Sequence, residues 1–154
     1  MEEIEFNQIY EEMKDVVYRI AFTYVRNSAD ALDIVQDVMI RLYRYDGVFN
    51  DDLHRRQWII RVTVNKAKDV LKASWFHHKE IDFTQIPDLR NKDKNILEEI
   101  LQIPLKYRSV IVLHYYEGYT YAEIAKMLRI GESAAKMRAE RGRKLLKLEL
   151  TEGD

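Results

Sequence analysis

Lysines and arginines near the C-terminus are the side chains whose type and spacing point most clearly to a chemistry. Residues 129–148 carry seven basic and two acidic side chains, although the whole chain has a net charge of −1. At about 100° per residue, one narrow arc of a helix there holds only apolar residues, namely Ala135, Ala139, Gly142 and Leu146. We therefore predict a helix that packs on a small apolar face and turns its positive charge toward a polyanion.

The opposite side of this predicted helix suits the major groove of duplex DNA. An arginine there can pair with guanine and a glutamate can accept from cytosine, while flanking cations meet phosphates. Instead of contacting a base, Glu140 could equally well form an ion pair with Lys136 or Lys144, four residues away. Such a pair would stabilise the helix by only a few tenths of a kcal/mol. The candidate DNA-binding residues on this side are Ser133, Lys136, Met137, Arg138, Glu140, Arg141 and Lys144.

A short helix and a tight turn precede the basic helix. Thr120 and Glu123 have the spacing of a capping box, in which each side chain satisfies a free backbone N–H of the other residue. The helix that they open runs to Leu128, and the turn follows at 129–132. A capped helix, a turn and a basic helix together make a helix-turn-helix pattern, which by itself fits many regulators.

A second basic segment lies in the first half of the chain. Residues 55–72 carry six basic side chains and one acidic, whereas residues 1–15 carry six acidic and one basic. Two separate basic segments predict two contacts with a polyanion, and two solvated helix faces are the alternative. The β-branched residues of Trp58–Lys72 favour a strand, but its apolar residues step by three and four, so we predict a helix.

The remaining periodicity predicts an all-α fold. One apolar stripe ends near Asn27, a second helix is capped by Ser28 and terminated by Gly47, and a polar loop follows from Phe49 to His54. In the second half, helical spacing returns near Ile96, Pro104 suits the first turn of another helix, and Gly118 ends it. We expect two small helical domains, 1–75 with three to four helices and 93–154 with four, joined by a flexible linker at 76–92.

Several classes of function have no support in the sequence. There is no cysteine, so disulfides, thiol catalysis and cysteine-ligated zinc are excluded. No glycine-rich phosphate loop, metal-ligand cluster or serine-histidine-acid arrangement is present, and His77-His78 reads as part of the linker. We expect no enzyme activity, no cofactor, no metal and no small-molecule substrate. The acidic N-terminus and the lack of a long apolar run indicate a cytoplasmic protein.

Three motifs in order narrow this interpretation to one family. The stretch DALDIVQDVMIRLYR, 30–44, resembles region two of bacterial RNA polymerase sigma factors, and WIIRVTVNKAKD, 58–69, resembles the promoter-binding helix that follows it. Residues 105–147, with YEGYTYAEIAKML inside them, are similar to region four. The absence of a domain between the two points to the extracytoplasmic-function class of the sigma-70 family.

The resemblance implies a role for each motif. The helix that contains the 30–44 motif would bind core RNA polymerase at the β′ clamp helices, and region four would meet the β flap. The loop from Phe49 to Arg56 and the following helix would recognise and melt the minus-ten element and hold a flipped base, and the last helix would read the minus-thirty-five element. The polymerase-binding candidates are Asp33, Gln36, Asp37, Ile40 and Arg41, and the minus-ten candidates are Phe49, Arg55, Arg56, Arg61, Asn65 and Lys68.

Two alternatives and two departures accompany the resemblance. A stand-alone helix-turn-helix regulator would bind duplex DNA without polymerase, and an interaction-only sigma mimic would not need the two basic segments.

Phe49 could equally be a buried anchor of its loop, and Trp58 is expected in the core. Arg129 stands where the family usually has glycine and would be strained at a positive φ unless Gly131 shifts the turn. Ala134 lacks a side chain that could bond a phosphate. A membrane-linked anti-sigma factor is the further partner that the family implies.

Overall fold

The computed structural model describes residues 1–74 and 98–146 of the chain. These residues belong to two compact units, with 1–74 in the first and 98–146 in the second. The described residues form helices and turns and contain no strand, which confirms the all-α prediction. The predicted linker 76–92, together with His77-His78, lies outside the described residues.

The first unit is a bundle of three helices that all pack against one another. They are α1 (Glu3–Val25), α2 (Ser28–Tyr43) and α3 (Asp52–Ser74). The helix predicted over Trp58–Lys72 is therefore confirmed, because burial of its apolar stripe overrides the strand propensity of its β-branched residues. The core is built from stripes at helical spacing, including Met13, Val17, Ile20, Ile34, Val38, Leu42, Ile60, Val64 and Ala67.

The ends of α2 differ from the prediction. Asn27 is the N-cap, since its side chain accepts a hydrogen bond from the Asp30 backbone N–H at 2.8 Å, and Ser28 is the first helical residue. The helix ends at Tyr43, before Gly47. Gly47 does not terminate the helix, but a Cβ there would lie 2.5 Å from the Tyr45 hydroxyl oxygen, so the loop requires glycine for space.

The third helix begins earlier than the sequence pattern indicated. Asp51 caps it by accepting a hydrogen bond from the His54 backbone N–H at 2.7 Å, and the helix starts at Asp52. The polar loop predicted from Phe49 to His54 is therefore wrong in its second half. Arg55 and Arg56 consequently lie in the first turns of α3 and not in a loop.

The second unit contains three described α-helices: α4 (Leu105–Ile111), α5 (Tyr121–Leu128) and α6 (Glu132–Leu145). Residues 98–100 are also helical. Pro104 lies one position outside the predicted first turn and acts as the N-cap of α4. After Ile111 the chain continues into a π-helical turn, Val112–Tyr116, and then reaches Gly118, whose φ is +83°.

The helix-turn-helix is formed by α5 and α6. Thr120 and Glu123 make both hydrogen bonds of the predicted capping box, at 3.1 and 2.9 Å. Arg129 adopts the left-handed conformation, with φ 57° and ψ 48°, whereas Gly131 has φ −74° and does not relieve it. The basic helix ends at Leu145, three residues before the predicted end, because Leu146 is extended.

The small apolar face predicted for the basic helix is the face on which α6 packs. Ala135, Ala139 and Gly142 are buried. A Cβ on Gly142 would lie 2.3 Å from Cδ1 of Ile111 and 3.2 Å from Cβ of Tyr107, so α6 packs closely on α4 and a larger residue would have to displace the Ile111 side chain. The burial of Ala135, Ala139 and Gly142 leaves the charged side of α6 facing outward.

Candidate nucleic-acid interface

The exposed side of α6 carries the residues predicted to read duplex DNA. All of them lie outside the buried face, with Lys136 and Arg138 on its two flanks. Arg138 is half-buried and the others are exposed: Ser133, Lys136, Met137, Glu140, Arg141 and Lys144. Within the described residues Glu140 forms no ion pair with Lys136 or Lys144, so the intrahelical alternative is not supported. The carboxylate of Glu140 is presented to solvent among cations.

One arginine of this surface is held by a tyrosine of α4. Desolvation raises the pKa of the Tyr107 hydroxyl, but hydrogen bonds from Arg141 and Lys106 outweigh it, so the pKa of Tyr107 is lowered. The Lys106 ammonium also lies 5.0 Å from the centre of the Tyr107 ring. Arg141 itself stays exposed.

A second arginine on α6 has a similar partner on the opposite flank. Nη1 of Arg143 donates a hydrogen bond to the Tyr115 hydroxyl at 2.7 Å, and its guanidinium carbon lies 5.9 Å from the centre of that ring. Tyr115 belongs to the π-helical turn, which places its ring edge-on to His114 with centres 4.8 Å apart. The sequence analysis did not single out Tyr115.

The first unit presents three of the predicted minus-ten residues together. Arg61, Asn65 and Lys68 follow one another along a single side of α3 at intervals of four and three. Asn65 and Lys68 are exposed and Arg61 is half-buried. This side of α3 therefore offers two cations and an amide at the spacing of successive helical turns.

The other two predicted minus-ten arginines are engaged inside the first unit. Nη2 of Arg56 lies 2.5 Å from Oε1 of Glu12 in α1, and Nη2 of Arg55 lies 3.6 Å from Oε2 of the same carboxylate. Arg55 also pairs with Asp52 at 3.2 Å, and its side chain is only 16% exposed. DNA would have to compete with Glu12 for these two guanidinium groups.

Phe49 and Trp58 lie together in an aromatic cluster at the start of α3. The ring of Phe49 stacks on Tyr45 with centres 4.7 Å apart, and it lies 5.6 Å from the ring of Trp58 and 5.5 Å from that of His54. Trp58 is half-buried rather than fully in the core. The geometry favours the second interpretation of Phe49, an anchor that fixes its loop.

The predicted polymerase-binding residues share one side of α2. Asp33, Gln36, Ile40 and Arg41 are exposed, and Ile40 is 49% exposed despite its apolar side chain. Oδ2 of Asp37 lies 3.5 Å from Nη2 of Arg41 and 3.4 Å from Nζ of Lys66 in α3, so this residue also links two helices.

An apolar groove adjoins this side of α2. It runs between α1 and α2 and is lined by Phe6, Tyr10, Met39, Ile40 and Tyr43, with polar residues such as Gln36 at its edge. Leu32, an apolar residue of the same helix, is 52% exposed. Exposed apolar side chains beside charged ones are typical of a protein-binding surface.

Neither a metal cluster nor a membrane helix is found in the described part of the chain. Among residues 1–74 and 98–146, no three histidine, aspartate or glutamate side chains are grouped so that they would hold a metal ion. No helix within the same ranges is long and apolar enough to span a bilayer.

Comparison with protein families accounts for both units. Residues 9–76 match the model of sigma-70 region 2, and residues 93–146 match the model of sigma-70 region 4. The two matches occur in the family's order and together cover most of the chain. The chain belongs to the sigma-70 family. Its function is that of a sigma factor, which directs RNA polymerase to promoters.

Curated relatives place the chain in the extracytoplasmic-function class. It is 29% identical over 146 residues to RNA polymerase sigma factor SigV of Bacillus subtilis, covering 92% of this chain and 88% of SigV. It is 27% identical to the ECF sigma factor SigM of Mycobacterium tuberculosis, covering 90% of this chain and 73% of SigM. It is also 27% identical to the ECF sigma factor SigW of Bacillus subtilis, with 94% and 88% covered.

Solved structures share the fold. The sigma factor RpoE from Bartonella quintana, in complex with the anti-sigma factor NepR, matches with a TM-score of 0.72 at 17% identity over 93% of this chain and 94% of RpoE. CnrH, in complex with the cytosolic domain of CnrY, matches with a TM-score of 0.66 at 20% identity over 94% and 86%.

Sequence reasoning missed the residues that hold this sigma factor's arginines. Glu12 lies 44 positions from Arg56, and Tyr115 lies 28 from Arg143, so no local pattern links either pair. The only available signal was the uneven charge of 1–15 and 55–72, which favours contact between α1 and α3.

Proposed function

We propose that this sigma factor binds core RNA polymerase through α2, recognises and melts the minus-ten element through α3 and its preceding loop, and reads the minus-thirty-five element through α6. The observation that carries the proposal is the geometry of α6. Its small residues are buried against α4 while its cations and Glu140 face outward. This division is what a helix needs to enter the major groove.

The polymerase contact rests on the exposed side of α2. Asp33, Gln36, Asp37 and Arg41 surround the exposed Ile40, so an apolar contact would be bordered by charge-assisted hydrogen bonds. We assign this surface to the β′ clamp helices and region 4 to the β flap. The Asp37–Lys66 pair joins that surface to the minus-ten helix.

The minus-ten contact combines two kinds of residue. Arg61, Asn65 and Lys68 lie along one side of α3, where they would meet phosphates and bases. Arg55 and Arg56 would bind a phosphate in place of the Glu12 carboxylate, since the phosphate and the carboxylate are both anionic. Phe49 would contribute by keeping the loop in position beside the opened strand, where a flipped base is held.

The minus-thirty-five contact would divide the residues of α6 by position. Ser133, Met137, Glu140, Arg141 and Lys144 would face base edges, and Lys136 and Arg138 would meet phosphates on either side. Because Glu140 is not neutralised by Lys136 or Lys144 in the described residues, it would select cytosine amino groups rather than only weaken binding. Ala134, whose methyl group cannot form a hydrogen bond, would leave its phosphate to a water molecule.

The remaining partners follow from the class. The complex of RpoE with the anti-sigma factor NepR supports an anti-sigma factor for this chain. CnrH is bound by the cytosolic domain of CnrY, which suits a partner anchored in the membrane. We place the chain in the cytoplasm with the polymerase and the chromosome. Synthesis of RNA belongs to the polymerase, so the chain itself needs no cofactor and catalyses nothing.

Co-purification followed by run-off transcription tests the proposal. The purified chain should bind core polymerase, and the reconstituted holoenzyme should start transcripts from a defined set of genomic fragments that core enzyme alone ignores. A stand-alone regulator would instead bind specific duplex DNA without polymerase. That result would overturn the assignment of α2.

Substitutions on α6 test the minus-thirty-five assignment separately. Arg141→Ala or Lys144→Ala should reduce promoter-dependent transcription about tenfold, because each removes a contact worth about 1–3 kcal/mol. Binding to core polymerase should not change. Lys126→Ala, on the exposed side of α5, is the matched control and should retain full transcription. Equal loss of polymerase binding and transcription would contradict the assignment.

A further inference from the structure

Glu12 of α1 is bound by two arginines of α3 that the proposed function assigns to DNA. Nη2 of Arg56 lies 2.5 Å from Oε1 of Glu12 and donates a hydrogen bond to it. Nη2 of Arg55 lies 3.6 Å from Oε2 of the same carboxylate. Each oxygen of Glu12 therefore faces a different guanidinium group. The two arginines thus already hold one anion between them, and that anion belongs to the chain itself.

A phosphodiester of the DNA backbone offers arginine the same chemistry as the Glu12 carboxylate. Each group shares one negative charge between two oxygens, and arginine pairs with both kinds of anion through charge-assisted hydrogen bonds. An N–H group that donates to Glu12 cannot donate equally well to a phosphate at the same time. A phosphate contact at Arg55 and Arg56 therefore requires that the ion pairs with Glu12 open first.

The exposure of these side chains permits such an exchange. The side chains of Glu12 and Arg56 are each 42% exposed, so a DNA strand can reach their ion pair from solvent. Arg55 is only 16% exposed, but it also pairs with Asp52 of its own helix at 3.2 Å. A displaced Glu12 returns to water and not to the core, so opening leaves no buried charge without a partner. Ion pairs as exposed as Glu12–Arg56 are weak enough to be displaced.

We propose that Glu12 is an internal competitor for the DNA backbone, which weakens the minus-ten contact of this sigma factor. Its carboxylate occupies Arg55 and Arg56 until a phosphate displaces it. This role of Glu12 rests on the proposed minus-ten contact of α3. The competition gives no base preference, because it concerns the backbone alone. Since backbone contacts supply most non-specific binding, Glu12 also limits binding to DNA outside promoters.

The test measures binding of reconstituted holoenzyme to a promoter fragment that this holoenzyme has selected from sheared genomic DNA. Glu12→Gln removes the negative charge and keeps the size of the side chain. It should tighten binding about threefold to tenfold at low salt, because two partly exposed ion pairs no longer have to be broken. The gain should shrink as the salt concentration rises, because salt already screens these pairs in the wild type.

Two further variants separate competition from a general change of charge. Glu11→Gln makes the same change one position along α1, where Glu11 pairs with Lys14 of its own helix at 2.9 Å. Its affinity should stay within about twofold of the wild type. Arg55→Ala/Arg56→Ala should weaken binding, because it removes both guanidinium groups. Adding Glu12→Gln to that variant should then change nothing, since the carboxylate has lost the groups for which it competes.

Wild-type or weaker promoter affinity of Glu12→Gln would overturn the competition. An equal gain in Glu11→Gln, or the same gain with and without the two arginines, would also overturn it. Binding to core polymerase reports on folding of the first unit and should not change. If Glu12→Gln loses core binding, Glu12→Asp decides, because it keeps the charge but shortens the side chain and lengthens both ion pairs. Glu12→Asp should bind the promoter more tightly than the wild type, and equal or weaker binding rejects the competition.

The same measurements distinguish this failure from that of the proposed function. If Arg55→Ala/Arg56→Ala weakens binding but Glu12→Gln does not tighten it, Glu12 only links α1 to α3, and the competition alone is wrong. If the arginine variant binds like the wild type, the two arginines do not contact the promoter. Their assignment to the minus-ten element and the competition then both fail.

Discussion

Gly142 offers a sharp test of how closely α6 packs on α4. A Cβ built on this residue would lie 2.3 Å from Cδ1 and 3.2 Å from Cγ1 of Ile111, a side chain with no exposed surface. Carbon atoms in contact are normally about 3.5–4.0 Å apart. In Gly142→Ala, Cδ1 of Ile111 would therefore have to move by more than about 1 Å within a filled core.

The expected cost follows from two opposing terms. Overpacking of this kind typically costs about 1–3 kcal/mol, and replacing glycine by alanine inside a helix returns about 1 kcal/mol. We expect Gly142→Ala to destabilise the second unit by about 1 kcal/mol. Ile111→Val removes the atom that clashes and by itself costs about 1 kcal/mol through the small cavity that it leaves.

The double variant is the decisive measurement. In Gly142→Ala/Ile111→Val the new methyl group occupies the space that Cδ1 has left, so the two losses should not add. We expect the double variant to be no less stable than either single variant, which corresponds to a coupling of about 1 kcal/mol. Additive losses within about 0.3–0.5 kcal/mol would refute the close approach of α6 and α4.

The assay has to report on one unit of the intact chain. Hydrogen exchange of the amides in α4 and α6 gives the opening free energy of the second unit. Hydrogen exchange of the amides in α1 and α2 follows the first unit and should not change. Gly131→Ala is the matched control, because nothing lies within 4 Å of its added Cβ and its φ is −74°.

Two further substitutions test the ends of α5. Thr120→Ala removes the capping-box hydroxyl and should lower the opening free energy of the second unit by about 1 kcal/mol; equal exchange in both proteins would show that the box contributes nothing. Arg129→Gly relieves about 1–2 kcal/mol of left-handed strain and adds back about 0.4–1 kcal/mol of unfolded-state entropy, so its thermal midpoint should rise. A lowered midpoint would mean that the arginine side chain contributes more stability than its backbone costs.

The sequence by itself determined the elements and the outward side of the basic helix. The periodicity of 135, 139 and 142 identified the buried face of α6, because a helix repeats every 3.6 residues whatever it packs against. Thr120 and Glu123 defined the start of α5 for the same kind of reason, since a capping box is made within four residues. Helix periodicity and capping depend on residues that are close together in the chain, so the sequence alone predicts them. The order of the family's motifs can also be read directly from the sequence.

Element ends were less well predicted where two local signals competed. Ser28 and Asn27 are both good caps, and Asn27 takes the position in the structure, where its side chain bonds to the Val25 carbonyl and to Asp30. The same holds for Asp51, whose side chain starts α3 before the apolar stripe begins. Gly47 looked like a helix terminator, but it lies beyond the end of α2, where a larger residue would have to displace the Tyr45 ring.

Only the tertiary structure decided which cations are already engaged. Arg55 and Arg56 belong to a basic segment by sequence, yet folding brings Glu12 of α1 against both. Tyr115 likewise reaches Arg143 because a π-helical turn rotates it toward α6. Side-chain partners many positions apart depend on how helices are oriented in space, and that orientation is set by the whole core rather than by any one segment.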